Sequence, residues 1–192
     1  MTAIDIIVSV EDDCPWPVEA KTAAIAAAQA AFAAISPTIN ACYEIGVTLA
    51  DDAVVHALNR EHRGHDRPTN VLSFPLCAPD DEPPEPGAPL LLGDVILAYE
   101  TVLTETKLQN KTLMNHLSHL VVHGVLHLFG YDHETDDDAE TMETQEIRIL
   151  ARLGVSNPYH AASLASADAP PPINDDESSA FFSAPIAISH RQ

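Results

Sequence analysis

Three histidines near the middle of the chain have the spacing of ligands to one metal ion. His123 and His127 are four residues apart in a stretch that resembles a helix, so their side chains lie on the same face. Gly130 can adopt the left-handed conformation that ends a helix, and this turn brings His133 back toward the same ion. Three protein nitrogens with a fourth position open are typical of a catalytic zinc site. The sequence therefore predicts one Zn²⁺ per chain, bound by His123, His127 and His133.

The residue after the first ligand departs from the metalloprotease pattern. The ligand spacing is that of the metzincin motif, in which a glutamate follows the first histidine and acts as the general base. In this chain the position is occupied by Gly124. Zinc would still lower the pKa of a bound water to ~7 and so provide a nucleophile at neutral pH. The pattern favours a metal centre but disfavours peptide hydrolysis.

Two further histidines precede the ligand set on the same predicted helix. His119 lies one turn before His123 on the same face, so we expect it to line the pocket and contact substrate. His116 lies a further three residues back, and we expect it to pack in the core.

The charge of the chain is strongly acidic but unevenly distributed. Nine lysines and arginines against 29 aspartates and glutamates give a net charge of −20 at pH 7, which disfavours long-range attraction of polyanions. Residues 60–67, however, include three arginines and two histidines. The sequence thus predicts one basic patch on an acidic molecule.

Several segments resemble one known family. HGVLHLFGYDH, at residues 123–133, is similar to the histidine signature of the YbeY family, bacterial endoribonucleases of rRNA maturation. LNREHRGHDRPTNVLSFP at 58–75 and LGDV at 92–95 resemble two further motifs of that family, and Met142 with Glu143 matches its last helix. The resemblance covers roughly residues 1–155.

This resemblance implies an α/β metalloprotein with zinc in a cleft. It also implies cleavage of single-stranded RNA, maturation of the 16S rRNA 3′ end, and a role in late 30S assembly and quality control. The expected partners are ribosomal RNA and the small ribosomal subunit or its proteins. The zinc ligands of the family fall on the same three histidines identified above.

The arginine that the family uses in catalysis falls on Arg63. A guanidinium can hold two phosphate oxygens at once, and a metal with an arginine suits the negative charge of a phosphodiester transition state. Two positions depart from the family: His62 replaces an aromatic residue and His65 a lysine. The general base stays open between the metal-bound water, His119 and the 2′-OH of the RNA.

Two alternatives to an RNA hydrolase are open from the sequence. One is a metallopeptidase or amidase that shares the ligand spacing, although Gly124 removes its base. The other is a non-catalytic ribosome-assembly factor in which zinc organises a contact, which the net charge of −20 favours because such a surface suits protein partners.

The pattern of apolar and turn-forming residues predicts an α/β (α+β) fold with a small mixed four-stranded sheet and about five helices. Strands are expected at 4–10, 43–49, 69–74 and 90–97. Helices are expected at 17–35, 53–60, 98–108, 112–129 and 136–153. The helix at 112–129 is expected to be the central element and to carry the metal site together with the turn that follows it.

The chain is expected to comprise one domain, residues 1–155, with an acidic, proline-rich loop at 77–89 and a disordered tail at 156–192. No apolar run is long enough to span a membrane, and the first residues lack the basic start of a signal peptide. Cys14, Cys42 and Cys77 match no metal or redox spacing. We therefore expect a cytoplasmic protein with reduced thiols.

Overall fold

The computed structural model describes residues 3–35, 41–79, 81–83, 85 and 87–159. Its strands are β1 (Ala3–Val10), β2 (Cys42–Ala50), β3 (Val71–Pro75) and β4 (Leu90–Ala98). Its helices are α1 (Glu19–Ile35), α2 (Asp52–Arg63), α3 (Tyr99–Gln109), α4 (Leu113–Leu128) and α5 (Asp136–Arg152). Each predicted strand and helix is present among these residues.

The strands form one mixed sheet in the order β1-β2-β4-β3. β1, β2 and β4 run parallel, and β3 pairs antiparallel with β4 at the edge. The predicted fold class, a small mixed four-stranded sheet packed with helices, is confirmed. Pro75 was expected to end β3, but it is the last residue of the strand, where an edge tolerates its missing N–H.

Helix α2 is longer at its carboxyl end than the sequence indicated. The Asp51 carboxylate accepts a hydrogen bond from the Val54 N–H at 2.8 Å and caps the start of the helix. The helix ends only at Gly64, whose φ of 71° suits a residue without a Cβ. Arg63 is consequently the last helical residue rather than part of a loop.

Helix α4 is the central element of the main core. It is buried almost continuously from His116 to Leu128, and it contacts α1, α3, α5, β3 and β4. The core-facing side chains of β2, including Tyr43, Ile45 and Val47, belong to the same cluster. A smaller cluster around Val55 and Leu72 packs α2 against the sheet. Because α4 is held on so many sides, its histidines have a rigid support.

Some expectations concern parts of the chain that the structure describes incompletely. The predicted tail from residue 160 onward lies outside the described residues. No helix among the described residues is long and apolar enough to cross a membrane. Cys14, Cys42 and Cys77 are free thiols.

Candidate metal centre

The three predicted ligands converge on one point. One ring nitrogen from each of His123, His127 and His133 lies within 4.8 Å of the other two. The Nε2 atoms of His123 and His127 are 3.0 Å apart. Nitrogens ~2.0–2.1 Å from a tetrahedral zinc lie roughly 3.3 Å apart, so the spacing is close to that of two ligands of one ion.

The turn after α4 orients the second ligand. Gly130 has a φ of 81°, and the Tyr131 N–H donates to the Leu126 carbonyl at 3.1 Å, which folds the chain back over the helix end. The Tyr131 carbonyl then accepts from Nδ1 of His127 at 2.9 Å. Because a carbonyl only accepts, Nδ1 carries the hydrogen and the lone pair of His127 lies on Nε2.

The first ligand is oriented by Glu146, a residue that the sequence analysis did not identify. Its Oε1 accepts from Nδ1 of His123 at 2.7 Å, and the carboxylate is fully buried. Burial raises the pKa of Glu146, but the hydrogen bonds from His119 and His123 outweigh it and hold that pKa below its usual range. The carboxylate is therefore ionised, and His123, like His127, has its lone pair on Nε2.

The hydrogen bonds at Nδ1 of His123 and His127 leave both lone pairs on Nε2, so the distance between the two Nε2 atoms indicates what can bind between them. Two imidazole lone pairs that face each other at 3.0 Å repel, unless a cation or proton lies between them. Burial lowers the pKa of His123, and burial with the charges of His123 and His133 lowers that of His127 to about 3. Both rings thus stay neutral at pH 7 as metal ligands require. The donor set fits a metal cation, and nitrogen ligands of this kind suit Zn²⁺.

The signal that could have revealed Glu146 is its place in the pattern of α5. Met142, Ile149 and Leu150 form the buried stripe of this helix, and Glu146 occupies an apolar position of the same stripe. A carboxylate in such a position requires buried donors, because an unpaired buried charge is costly. The histidines of α4 are those donors.

His119 and His116 have different environments. Nε2 of His119 donates to Oε2 of Glu146 at 3.0 Å, and the ring packs edge-on against His123 with centroids 6.4 Å apart. It is not one of the residues whose nitrogens converge on the metal point. His116 lies away from that point, where its Nε2 is 2.6 Å from Oε2 of Glu105. His119 therefore borders the candidate site, whereas His116 belongs to the packing of α3 against α4.

Gly124 faces the sheet rather than the metal group. A Cβ at this position would come within 2.5 Å of Cγ1 of Val95 and 3.0 Å of Oγ of Ser73. A side chain of any size is excluded while β3 and β4 keep their positions. The missing glutamate of the metalloprotease pattern is thus explained by packing, since this side of α4 lies flat on the sheet.

Arg63 lies at the end of α2 and has no acidic partner among the described residues. Its side chain is partly buried, and its Nε is buried without a hydrogen-bond partner there. Burial lowers the pKa of its guanidinium. Arg60, by contrast, is exposed and lies 4.0 Å from Asp66. Arg63 is not one of the residues whose ligand atoms converge on the metal point, so its part in the site stays a prediction.

The residues that follow α5 also reach the site. The hydroxyl of Tyr159 donates a short hydrogen bond to Oε2 of Glu146 and lies 3.5 Å from Nε2 of His119. Lys111 Nζ donates to the Pro158 carbonyl at 3.0 Å and holds this segment against the start of α4. Glu146 thus receives hydrogen bonds from His119, His123 and Tyr159.

The chain is similar to known proteins of one family. A family model described as Endoribonuclease YbeY matches residues 14–154. A relative named Endoribonuclease YbeY from Azorhizobium caulinodans is 51% identical over 158 residues, which is 81% of this chain and 96% of the relative. One from Paramagnetospirillum magneticum is 60% identical over 116 residues, which is 60% of this chain and 71% of that protein.

A Thermotoga maritima protein of known solution structure has the same fold. It is 23% identical with a TM-score of 0.52, and the match covers 88% of this chain and 100% of that chain. The sequence relatives and the family model together carry the assignment, and the chain belongs to the endoribonuclease YbeY family.

Proposed function

We propose that this protein is a zinc-dependent endoribonuclease that cleaves single-stranded RNA in the cytoplasm. Its proposed substrate is the 3′ region of 16S rRNA, and its proposed partner is the small ribosomal subunit during late assembly. The observation that carries the proposal is the pair of lone pairs, on Nε2 of His123 and His127, that face each other at 3.0 Å. With His133 they would hold a metal through three nitrogens, and a site of this kind has a fourth position open to water or substrate.

The residues of the chain divide the task of phosphodiester cleavage. His123, His127 and His133 would hold the metal, which when bound supplies a Lewis acid and an activated water. Arg63 would hold non-bridging phosphate oxygens, because its buried Nε lacks an acceptor among the described residues and a phosphate provides one. Glu146 keeps the ring of His123 in place while the substrate binds and leaves.

The packing of α4 bears on the metallopeptidase alternative. A glutamate base at position 124 is impossible without displacing Val95 and Ser73. Nor is Glu146 suited to accept a proton from water, because its carboxylate is fully buried and occupied by three donors. Both observations support a reaction whose nucleophile depends neither on a carboxylate at position 124 of α4 nor on Glu146 of α5.

The test compares wild type with His127→Ala. We expect about one zinc per wild-type chain and cleavage of a single-stranded 16S 3′-end RNA, and we expect both to be lost in the variant. His56→Ala, a histidine on α2 paired with Asp66, serves as the control for metal content. A His127→Ala protein that cuts RNA at the wild-type rate would overturn the proposal, and zinc-dependent hydrolysis of casein without RNA cleavage would favour the peptidase.

The acidic surface favours a second candidate, a non-catalytic assembly factor. The first turn of α5 presents Asp136, Asp137 and Asp138 to solvent directly after His133, and the net charge is −20. Such a surface suits a basic protein of the ribosome better than free RNA. The candidates separate in cells: if His127→Ala restores normal rRNA ends in a strain lacking this protein, cleavage is not its function.

A further inference from the structure

A cavity of about 130 Å³ borders His119, one turn of α4 before His123. It is bordered by the turn between α3 and α4, the first turns of α4, and the residues after α5. Lys111, Asn115 and His119 line it together with Val155 and Pro158. A water molecule needs only roughly 10–15 Å³ of such space, so the cavity can take a small polar group rather than a single water.

His119, which lines this cavity, has a ring nitrogen that can accept a hydrogen bond. Its Nε2 donates to the ionised Glu146, so in the neutral ring the lone pair lies on Nδ1. Nδ1 is buried and has no hydrogen-bond partner among the described residues, and the whole residue is 6% exposed. Buried polar atoms are normally paired, so a group from outside the described chain is expected to donate to it.

Lys111 offers the same cavity a positive charge. Its side chain is partly buried, and one of its three ammonium hydrogens is used by the Pro158 carbonyl. No described carboxylate lies within 4.0 Å of Nζ, although the chain has 29 acidic residues against nine basic ones. The other ammonium hydrogens can therefore be donated to a bound anion.

An acceptor and a cation on two residues that line one small cavity complement a group with a hydroxyl and a negative charge. We propose that this cavity is a ribonucleotide subsite, in which a ribose 2′-OH donates to Nδ1 of His119 and an adjacent phosphate binds Lys111. The side-chain amide of Asn115, which can donate and accept, suits either group. RNA is favoured over DNA because DNA lacks the donor that Nδ1 requires.

The position of the cavity fits a strand that also reaches the metal group. His119 precedes His123 by one turn of α4, and both rings are bonded to Glu146. A nucleotide held at His119 is therefore next to the one at the metal. This inference rests on the proposed function, because it takes single-stranded RNA as the ligand.

The first experiment measures RNA binding without cleavage. The full-length chain carries His127→Ala so that a short single-stranded RNA stays intact, and Lys111→Gln is compared with Lys107→Gln in that background. Lys107 makes the matched control because it is exposed on α3 and the substitution removes the same charge. We expect Lys111→Gln to weaken binding about tenfold, as loss of a charged hydrogen bond does. The slope of log Kd against log salt should fall by ~0.7, which a purely structural change does not produce.

The second experiment replaces one ribose of the RNA at a time by its 2′-deoxy form and measures the affinity for the protein. Lys111 is kept in this experiment, so the result does not depend on how well Lys111→Gln folds. We expect one position to lose roughly tenfold in affinity, because Nδ1 is then left unpaired. The subsite would be overturned if no single 2′-deoxy substitution changed the affinity. It would also be overturned if Lys111→Gln and Lys107→Gln had equal Kd values and equal salt slopes. If the wild type cuts no RNA but these differences persist, the proposed cleavage function fails while the subsite stands.

Discussion

The imidazoles of the metal group and the guanidinium of Arg63 have different kinds of neighbour. Nδ1 of His123 is bonded to Glu146 and Nδ1 of His127 to the Tyr131 carbonyl, so both rings are fixed by the chain itself. Arg63 is partly buried, yet its Nε has no acceptor and no carboxylate pairs with it among the described residues. The histidines of the metal group are therefore held in place before any substrate binds. Arg63, by contrast, gains the partner that its Nε lacks only when an anion binds.

The largest expected effect comes from removing the arginine. Arg63→Ala should lower RNA cleavage by about 10²–10³-fold, the usual loss when one transition-state donor is removed. Zinc content should not change, because the three candidate ligands are histidines and Arg63 supplies none of the nitrogens that converge on the metal point. Thermal stability should be equal or higher, since the substitution removes a buried donor that lacks a partner. The measurements are single-turnover cleavage, metal content and melting temperature.

Arg60→Ala is the matched control, because Arg60 lies on the same helix and its side chain is 65% exposed. We expect it to cleave RNA at nearly the wild-type rate. Loss of zinc from Arg63→Ala, or equal activity of the two variants, would contradict the contrast between the two regions.

The second prediction concerns the support of the metal group. Glu146→Gln keeps the size of the side chain but removes the carboxylate that accepts from His119, His123 and Tyr159. Zinc affinity, measured by competition with a chelator, should fall by about 10–100-fold. Glu140→Gln, on an exposed position of the same helix, should leave it unchanged. If both variants bind zinc equally, Glu146 does not position His123.

The metal group could be predicted from the sequence, whereas the surroundings of Arg63 could not. The ligands were identified because their spacing is local: His123 and His127 share one helical face, and the turn at Gly130 returns His133 to it. Glu146 and Tyr159 were missed because their contacts depend on how α5 packs against α4 and on where Gly154 turns the chain. The environment of Arg63 was equally out of reach, since burial at the end of α2 follows from packing rather than from spacing.

The strands and helices were predicted well for a related reason. Helix caps act on the next residues of the chain: the side chain of Asp51 accepts from the Val54 N–H and that of Thr112 from the Asn115 N–H. The role of Gly124 was not predictable in this way. In the sequence, Gly124 indicated only that the glutamate base is absent. The closeness of Val95, which leaves no room for a Cβ at position 124, depends on the tertiary structure.

The third prediction separates the sheet-facing side of α4 from the side that bears the ligands. Gly124→Ala should destabilise the fold by about 1–3 kcal/mol, as overpacking does, although the same change in an open helix stabilises. The new Cβ would lie 2.5 Å from Val95, so Val95→Ala in the same chain should recover part of the loss. Denaturant unfolding of the two single variants and the double variant measures this coupling. Zinc affinity of the folded protein should stay near wild type, and a large drop would mean that the two sides of α4 are not independent.

The smallest expected effect is that of Tyr159→Phe. Burial, together with the charge of Glu146, holds the pKa of Tyr159 above its usual range, so its hydroxyl keeps the proton and donates to that carboxylate. Removing one of three donors should cost about 1–1.5 kcal/mol in stability and weaken zinc binding a few-fold, because His119 and His123 still hold Glu146. Tyr131→Phe is the control, since Tyr131 orients His127 through its main-chain carbonyl and not its hydroxyl. Equal zinc affinities of the two variants would show that the Tyr159 hydroxyl does not help to hold Glu146 in place. A loss of zinc affinity as large as that of Glu146→Gln would show that Tyr159 is its main support.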